Sequence, residues 1–302
     1  MFLKFIILLF LIFPFNVQIS MADSFDLDYV GESMTHISRD GDSIVSIARE
    51  YGVGYVELRS ANPKVDVWMV REGTNVIIPS MHLLPDVENE GIIVNLPEMR
   101  LYAFLESGKD PVTFPLGIGR TGLSTPSGST EIVRKISGPT WTPTKRMREE
   151  DPSLPEFMLP GDDNPLGTHM LYFGWPEYGI HGTDKPYGIG RRVSSGCIRM
   201  FPEDISQFYH MVPLSTKVKI IDQAIKVGWI GNELYMEAHT EIDQVNLMET
   251  QGFVDGYDLS DDQLRLIFSE AGDYINVLNW EKIREVVRER SGVPEIIASS
   301  VD

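Results

Sequence analysis

The chain has 302 residues, 42% apolar and 23% charged, with a formal net charge of −18. Such a length exceeds one compact domain and such a composition is ordinarily globular, so one larger domain with a smaller module is expected and wholesale disorder is excluded. The acidity excludes nucleic acid and anionic membrane surfaces as general partners, because both need a basic footprint.

The N-terminus carries Lys4, an apolar run over 5–15 broken only by Pro14, and then Ser20, Met21 and Ala22 before Asp23. These are the regions of a secretory signal peptide over 1–22, with Ser20 and Ala22 at the −3 and −1 positions of cleavage. The run is short for a membrane span, and no other stretch reaches that length, so no integral membrane domain is expected after cleavage. Export makes the cysteine usage informative. Cys197 is the sole cysteine, so no intramolecular disulfide can form. A solitary thiol in an oxidising compartment is either deeply buried or used as a nucleophile, and composition leaves both readings open.

Residues 35–80 read as a small βααβ unit. A strand is expected at 35–37 and another at 76–78. Between them, Ile44, Ile47, Ala48 and Tyr51 fall on one helical face, with Asp42 or Ser43 as N-cap and Gly52 as the stop. A second helix over 55–61 ends at Asn62-Pro63, where proline forbids continuation. The pieces Gly41-Asp42-Ser43, Ile47-Ala48, Tyr51-Gly52-Val53, Leu58, Ala61-Asn62-Pro63 and Val76-Ile77-Ile78-Pro79 together resemble a LysM module. That resemblance implies binding to glycan strands containing N-acetylglucosamine.

A polar linker over 83–90 leads into a second, mainly β domain over 90–222. Strands are expected at 92–95 and 100–104 around the turn Leu96-Pro97-Glu98-Met99, then at 112–118, 171–173, 178–181 and 217–221. Ile205, Phe208, Tyr209 and Val212 have helical spacing. A β-sandwich or open barrel fits this pattern. The acid- and proline-rich stretch 151–163 reads as a surface loop able to cover a cleft. In the extension 223–302 a strand at 234–238 precedes helices, one opened by the capping box Ser260-Asp261-Asp262-Gln263 with Leu259 and Leu264 as staple. Another, around Trp280, Ile283 and Val287, is expected to stop near Gly292 and Pro294, its apolar stripe serving as packing surface. The extension shows no catalytic signature.

The chemistry concentrates around Cys197, in Ser194-Ser195-Gly196-Cys197-Ile198-Arg199-Met200, sixteen positions after His181. A thiol beside an imidazole permits nucleophilic acyl transfer, with the imidazole taking the proton and Arg199 favouring the thiolate. Gly196 leaves a carbonyl room to approach, and backbone N–H groups there can stabilise an oxyanion. Between His181 and Met200, Lys185, Arg191, Arg192 and Arg199 outnumber the single acid Asp184. This is either a site for anionic groups or a basic solvated loop. Zinc held by His169, His181 and Cys197 is disfavoured by spacing, as is metal binding by His36, His82, His210 or His239 with Cys197. No metal or cofactor is expected.

The stretch HGTDKPYGIGRRVSSGCIRM over 181–200 strongly resembles the YkuD-type L,D-transpeptidase signature, an HGT segment and an S-x-G-C-[IV]-R segment separated by a glycine-bearing loop. Upstream, Gly117-Ile118-Gly119, Thr125-Pro126-Ser127-Gly128, Trp141-Thr142-Pro143 and Asn164-Pro165-Leu166-Gly167 extend the likeness over about 92–222. The resemblance implies a YkuD-like fold, with Cys197 as nucleophile, His181 as general base and then acid, and the Gly182 carbonyl orienting the imidazole in preference to Asp184. It implies a substrate-binding or oxyanion role for Ser195 and Gly196, while Arg199 contacts a substrate carboxylate or fixes the cysteine loop. Ser195 departs from the histidine that many members carry there, which touches fine specificity. The implied donor is a peptidoglycan stem tetrapeptide, cleaved with loss of D-alanine through a thioester on Cys197, and the acceptor a second stem in a 3→3 crosslink or an envelope lipoprotein. Hydrolysis by the same site, as an L,D-carboxypeptidase, and a purely glycan-binding envelope protein are the alternatives. The implied location is the periplasm of a Gram-negative bacterium.

Overall fold

The computed structural model describes residues 28–106, 108–254 and 258–300, and the expected signal peptide lies outside them. The chain opens with β1 (Tyr29–Val30) and β2 (Met34–Ile37), followed by α1 (Ile44–Glu50), α2 (Tyr55–Ala61) and β3 (Asn75–Ile78), which returns antiparallel to β2. Ser43 caps α1 reciprocally with Ser46, each hydroxyl accepting the other's N–H at 3.1 and 2.9 Å, so the serine is the cap rather than Asp42. At the start of α2, Glu57 Oε2 accepts the Gly54 N–H at 2.7 Å.

The expected linker begins differently. His82 and Leu83 form β4 (His82–Leu83), paired with β1, and both are buried with Leu84. A strand enclosed by its neighbours replaces solvated chain here, because Glu237 accepts the Leu83 N–H and Lys226 donates to the Leu83 carbonyl.

The main sheet is built from β5 (Gly91–Asn95), β6 (Arg100–Phe104), β7 (Val112–Pro115), then, after β8 (Ile118–Gly119), from β9 (Gly128–Ser137). After α3 (Lys145–Glu150) come β10 (His169–Phe173), β11 (Gly179–His181), β12 (Arg192–Ser194) and β13 (Ile198–Arg199), and after α4 (Pro202–Met211) comes β14 (Lys217–Ile221). Eight strands run in the order β13-β11-β10-β9-β14-β5-β6-β7, while β8 and β12 form a separate parallel pair. An antiparallel bridge between Gly117 and Arg199 brings the chain beyond β7 against β13, so the sheet curls toward closure. The single strand expected over 112–118 is thus two elements. The proline at 115 has no N–H for the ladder, and the chain leaves the sheet there.

The extension adds β15 (Ile225–Ile230), β16 (Glu233–Ala238), α5 (Val245–Gln251), α6 (Asp261–Ala271), α7 (Trp280–Glu289) and β17 (Glu295–Ser299). Its three strands form an antiparallel sheet in the order β15-β16-β17. Ile283 and Val287 of α7 are buried among Ile225, Leu234 and Ile267. The Ser260–Gln263 capping box is present, whereas α7 ends at Arg290, which adopts φ 48°, before Gly292 is reached.

One continuous apolar cluster joins Ile44, Leu58 and Ile78 of the first unit to Ile92, Leu101 and Ile198 of the sheet and to Val245 and Met248 of α5. A buried ionic network ties the same parts. Arg100 of β6 donates to both carboxylate oxygens of Glu57 in α2 at 2.9 and 2.8 Å. Lys226 of β15 reaches Glu98 at 2.7 Å and Glu237 at 2.9 Å, and His239 meets Glu237 at 2.7 Å. Mainly β in content, the molecule is one packed body over its described residues.

Candidate active site

Parallel pairing of β11 with β13 sets Ile180 opposite Ile198 and His181 opposite Arg199. Side chains alternate along a strand. Ile180 and Ile198 therefore point into the core, both fully buried, while His181, Arg199 and Cys197, one residue before the strand, project to the other face. The pairing brings the Cys197 turn to the strand that carries His181, across sixteen residues of sequence.

His181 Nδ1 lies 2.6 Å from the Gly182 carbonyl, leaving Nε2 for the proton transfers when Nδ1 carries the hydrogen. The charge of Asp184 acts instead on the Arg199 guanidinium. Gly167, at φ 64°, packs its backbone against Gly182 and Thr183, where a β-carbon would lie 2.7 Å from the Thr183 nitrogen.

The Cys197 turn is braced from within. Ser194 Oγ donates to the Cys197 carbonyl and accepts the Gly196 N–H at 3.1 Å. Thr125 Oγ1 donates to the Gly196 carbonyl at 2.8 Å and accepts the Gly119 N–H at 3.0 Å. Two expectations change. The Gly196 N–H is already engaged, so it is not an open oxyanion donor. The room at Gly196 is also filled, since a β-carbon would sit 2.8 Å from the Tyr178 ring, and the residue holds φ 112°. Glycine is required there by backbone and packing rather than by substrate approach.

Cys197 Sγ donates to the Glu177 carbonyl at 3.2 Å, and among the described residues no hydrogen bond joins it to His181. Burial pushes the thiol up to about 11, against the Gly179 N–H and the Arg199 charge, which favour thiolate. Burial, and then Arg199, push His181 down to about 3. Burial thus favours the neutral thiol and the neutral imidazole, and Arg199 pulls the thiol the other way, toward thiolate. The arginine's charge is outweighed by the loss of solvent.

Beside this face opens a cavity of about 650 Å³ lined by Ser195 and Arg199, by Asp184, Lys185, Tyr187, Gly188 and Arg191 of the loop after His181, and by Trp141, Leu154, Pro155 and Met158 of the covering segment. The acid- and proline-rich stretch does wall a cleft. Trp141 and Met158 pair across its neck, and the buried Asn164 side chain donates to the carbonyls of Pro139, Met158 and Leu159. The cavity is less basic than the sequence suggests. Arg120, Lys185, Arg191 and Arg199 meet Glu150, Asp151, Asp163 and Asp184 on its walls. Arg192 is elsewhere, donating to the Gly119 and Ile242 carbonyls.

His169 faces the rings of Tyr209 and His210 and forms no metal-holding group with His181 and Cys197. Among the described residues only His82, Glu98 and Glu237 approach such a group, and the Lys226 ammonium already sits on both carboxylates. Ser194, Thr125, Tyr178 and Arg120 carry no sign of their structural roles in the sequence alone. The first two lie in motif pieces, the S of S-x-G-C and the start of Thr125-Pro126, whose hydrogen bonds become visible only in the fold.

Residues 89–220 match the model of the YkuD family, described as the L,D-transpeptidase catalytic domain. A probable L,D-transpeptidase ErfK/SrfK of Salmonella typhimurium is 34% identical over 310 residues, covering 95% of this chain and 96% of that protein. The Escherichia coli protein of the same name is 42% identical over 204 residues, covering 65% of this chain and 66% of its own length, just under two thirds. Among solved structures, the catalytic domain of an Enterococcus faecium L,D-transpeptidase shows a distant likeness, 23% identical with a TM-score of 0.36, over 45% of this chain and all of that one.

Proposed function

Since the chain belongs to the L,D-transpeptidase family, we propose that it is a cysteine-dependent acyltransferase of peptidoglycan, working at Cys197 on stem tetrapeptides. The observation that supports the reading most is the pairing of β11 with β13, which sets His181 opposite Arg199, two residues beyond Cys197, with the Gly182 carbonyl against the imidazole.

His181 Nε2 takes the thiol proton as Sγ attacks the carbonyl carbon of the stem's diamino acid, and neither group has to be charged beforehand. The oxyanion falls to N–H groups of the turn other than that of Gly196, with the Cys197 amide nearest the sulfur. As the C–N bond breaks, His181 returns its proton to the D-alanine nitrogen, leaving a thioester. An acceptor amine attacks next, gives its proton to His181, and the sulfur departs and is reprotonated. Arg199 and Ser195, both on the cavity wall, contact the stem. The acceptor is a second stem or a lysine of an envelope lipoprotein, and the LysM-like unit holds the glycan from which the stems hang. The setting is the Gram-negative periplasm, reached by export, and no described helix is long and apolar enough to cross a membrane.

Incubation with purified tetrapeptide stems, read by mass spectrometry, tests the reaction. Crosslinked dimers with released D-alanine are expected from the wild type and none from Cys197→Ala. Free tripeptide without dimers would make the protein a hydrolase.

A further inference from the structure

The loop between His181 and Cys197 does not stand alone. Its residues 189–191 are clamped between the main domain and the first unit. Gly190 N–H donates to the Leu116 carbonyl at 2.9 Å, and the Arg191 carbonyl accepts the Ile118 N–H at 3.0 Å. From the other side, the first turn of α2 donates through Val56 N–H to the Gly190 carbonyl at 3.1 Å and through Tyr55 N–H to the Ile189 carbonyl at 3.4 Å. Gly190 holds φ 75°, and a β-carbon on it would fall 2.0 Å from the Tyr55 nitrogen. Such an approach is open only to glycine.

The side chain beside this clamp lines the cavity that reaches Ser195 and Arg199. The Arg191 guanidinium lies 3.6 Å from the centroid of the Tyr55 ring, and its Nη1 donates to Glu249 at 2.7 Å. Tyr55 is buried, so the ring is a fixed platform for the arginine rather than a surface aromatic. Arg191 and its loop neighbours Tyr187 and Gly188 line the cavity that also reaches Ser195 and Arg199. Behind Tyr55, Glu57 in the same turn is anchored to Arg100 by two hydrogen bonds in the core, so α2 cannot shift without breaking a buried ion pair.

We infer that the first unit is a positioning element of the catalytic loop, in which Tyr55 and the start of α2 hold residues 189–191 so that Arg191 walls the stem-binding cavity. The unit thereby acts on substrates that carry no glycan at all. This rests on the acyltransferase reading for its consequence in turnover, while its structural half, the dependence of loop 189–191 on Tyr55, stands apart from any reaction.

The experiment uses the full chain with Tyr55→Ala, Tyr55→Phe and Arg49→Ala. The last removes an exposed ion pair between the first unit and the main domain, with Glu203, and leaves every backbone hydrogen bond to 189–191 in place. Two readouts are taken: amide hydrogen exchange at 189–191, and KM and kcat on a glycan-free tetrapeptide. Tyr55→Ala is expected to speed exchange at 189–191 and to raise KM about fivefold, the equivalent of one cation–π contact, with kcat nearly unchanged. Tyr55→Phe, which keeps the ring, restores both, and Arg49→Ala changes neither. A unit that serves only to capture glycan would leave exchange and KM on the free stem unchanged in Tyr55→Ala, which overturns the inference. The same effect from Arg49→Ala would overturn it too, as general loosening. Wild-type protein inert on every stem would sink the acyltransferase reading, and the exchange data would still decide the clamp.

Discussion

Gly196 lies with its α-carbon against the ring of Tyr178, so closely that a β-carbon would be 2.8 Å from a ring atom, and its backbone stands at φ 112°. Two independent demands thus meet at the residue before the thiol. Gly196→Ala is expected to lower turnover at least about a hundredfold, since strain of 1–3 kcal/mol and a displaced ring act on the same turn. Tyr178→Ala in that background relieves the contact but not the backbone, so only part of the loss returns. Full recovery in the double variant would show that sterics alone require glycine.

The pH dependence follows from the neutral resting pair. With His181 pushed down to about 3 and Cys197 up to about 11, the competent form of the free enzyme, neutral imidazole and neutral thiol, spans the range between. The profile of kcat/KM should be flat from pH 5 to pH 9, and alkylation of Cys197 by iodoacetamide, which reads thiolate, should still be rising at pH 9. A step in kcat/KM near the ordinary imidazole value of 6.5 would mean that burial does not hold His181 down, and alkylation already level through neutral pH would mean a thiolate at rest.

Lys226 is the cation that makes the buried carboxylates tolerable. Burial works to raise Glu98 and Glu237, yet both are held below the usual range because the lysine ammonium overrides it. Lys226→Met leaves two buried carboxylates facing each other. It should cost about 3–5 kcal/mol, or on the order of 10 °C in Tm, measured by calorimetry at pH 7.

Acid should unfold the protein through the same residues. His82 and His181 have folded pKa values pushed below the ordinary 6.5 by burial, so the unfolded chain binds their protons first and stability falls as pH drops below that value. Glu98 and Glu237 add to the loss once pH falls below their ordinary 4.5. Asp204 opposes, because burial and then Glu203 raise it to about 6 and the folded state keeps its proton between 3.8 and 6. Tm should therefore decline from pH 7 to pH 5, and more steeply in Asp204→Asn. A flat or rising Tm over that interval contradicts the assignment.

Much of this was legible in the sequence where local rules govern. The helix over 55–61 and the strand at 100–104 coincide with α2 and β6, because Asn62-Pro63 and the turn at 96–99 bound them with residues that leave little choice. Nothing in the sequence marks the ten-residue β9, because only Ile132 on it is fully buried, which leaves no period-2 pattern to read. Strand β4 was read as linker because its burial is supplied from 226 and 237, far along the chain. The site divides in the same way. The residue types and spacing around Cys197 point to acyl transfer, but the neutral pair, the filled space at Gly196 and the mixed charge of the cavity depend on burial that no local pattern encodes.

The most direct test is the covalent one. Wild-type protein mixed with a stem tetrapeptide whose side-chain amine is blocked, so that no acceptor is present, is quenched in acid and its intact mass and peptide map are recorded. A thioester mechanism requires an added mass equal to the stem less D-alanine, on the peptide holding Cys197, absent in Cys197→Ala and discharged by an added amine. Turnover that continues in Cys197→Ala, or an adduct on any other residue, would contradict it.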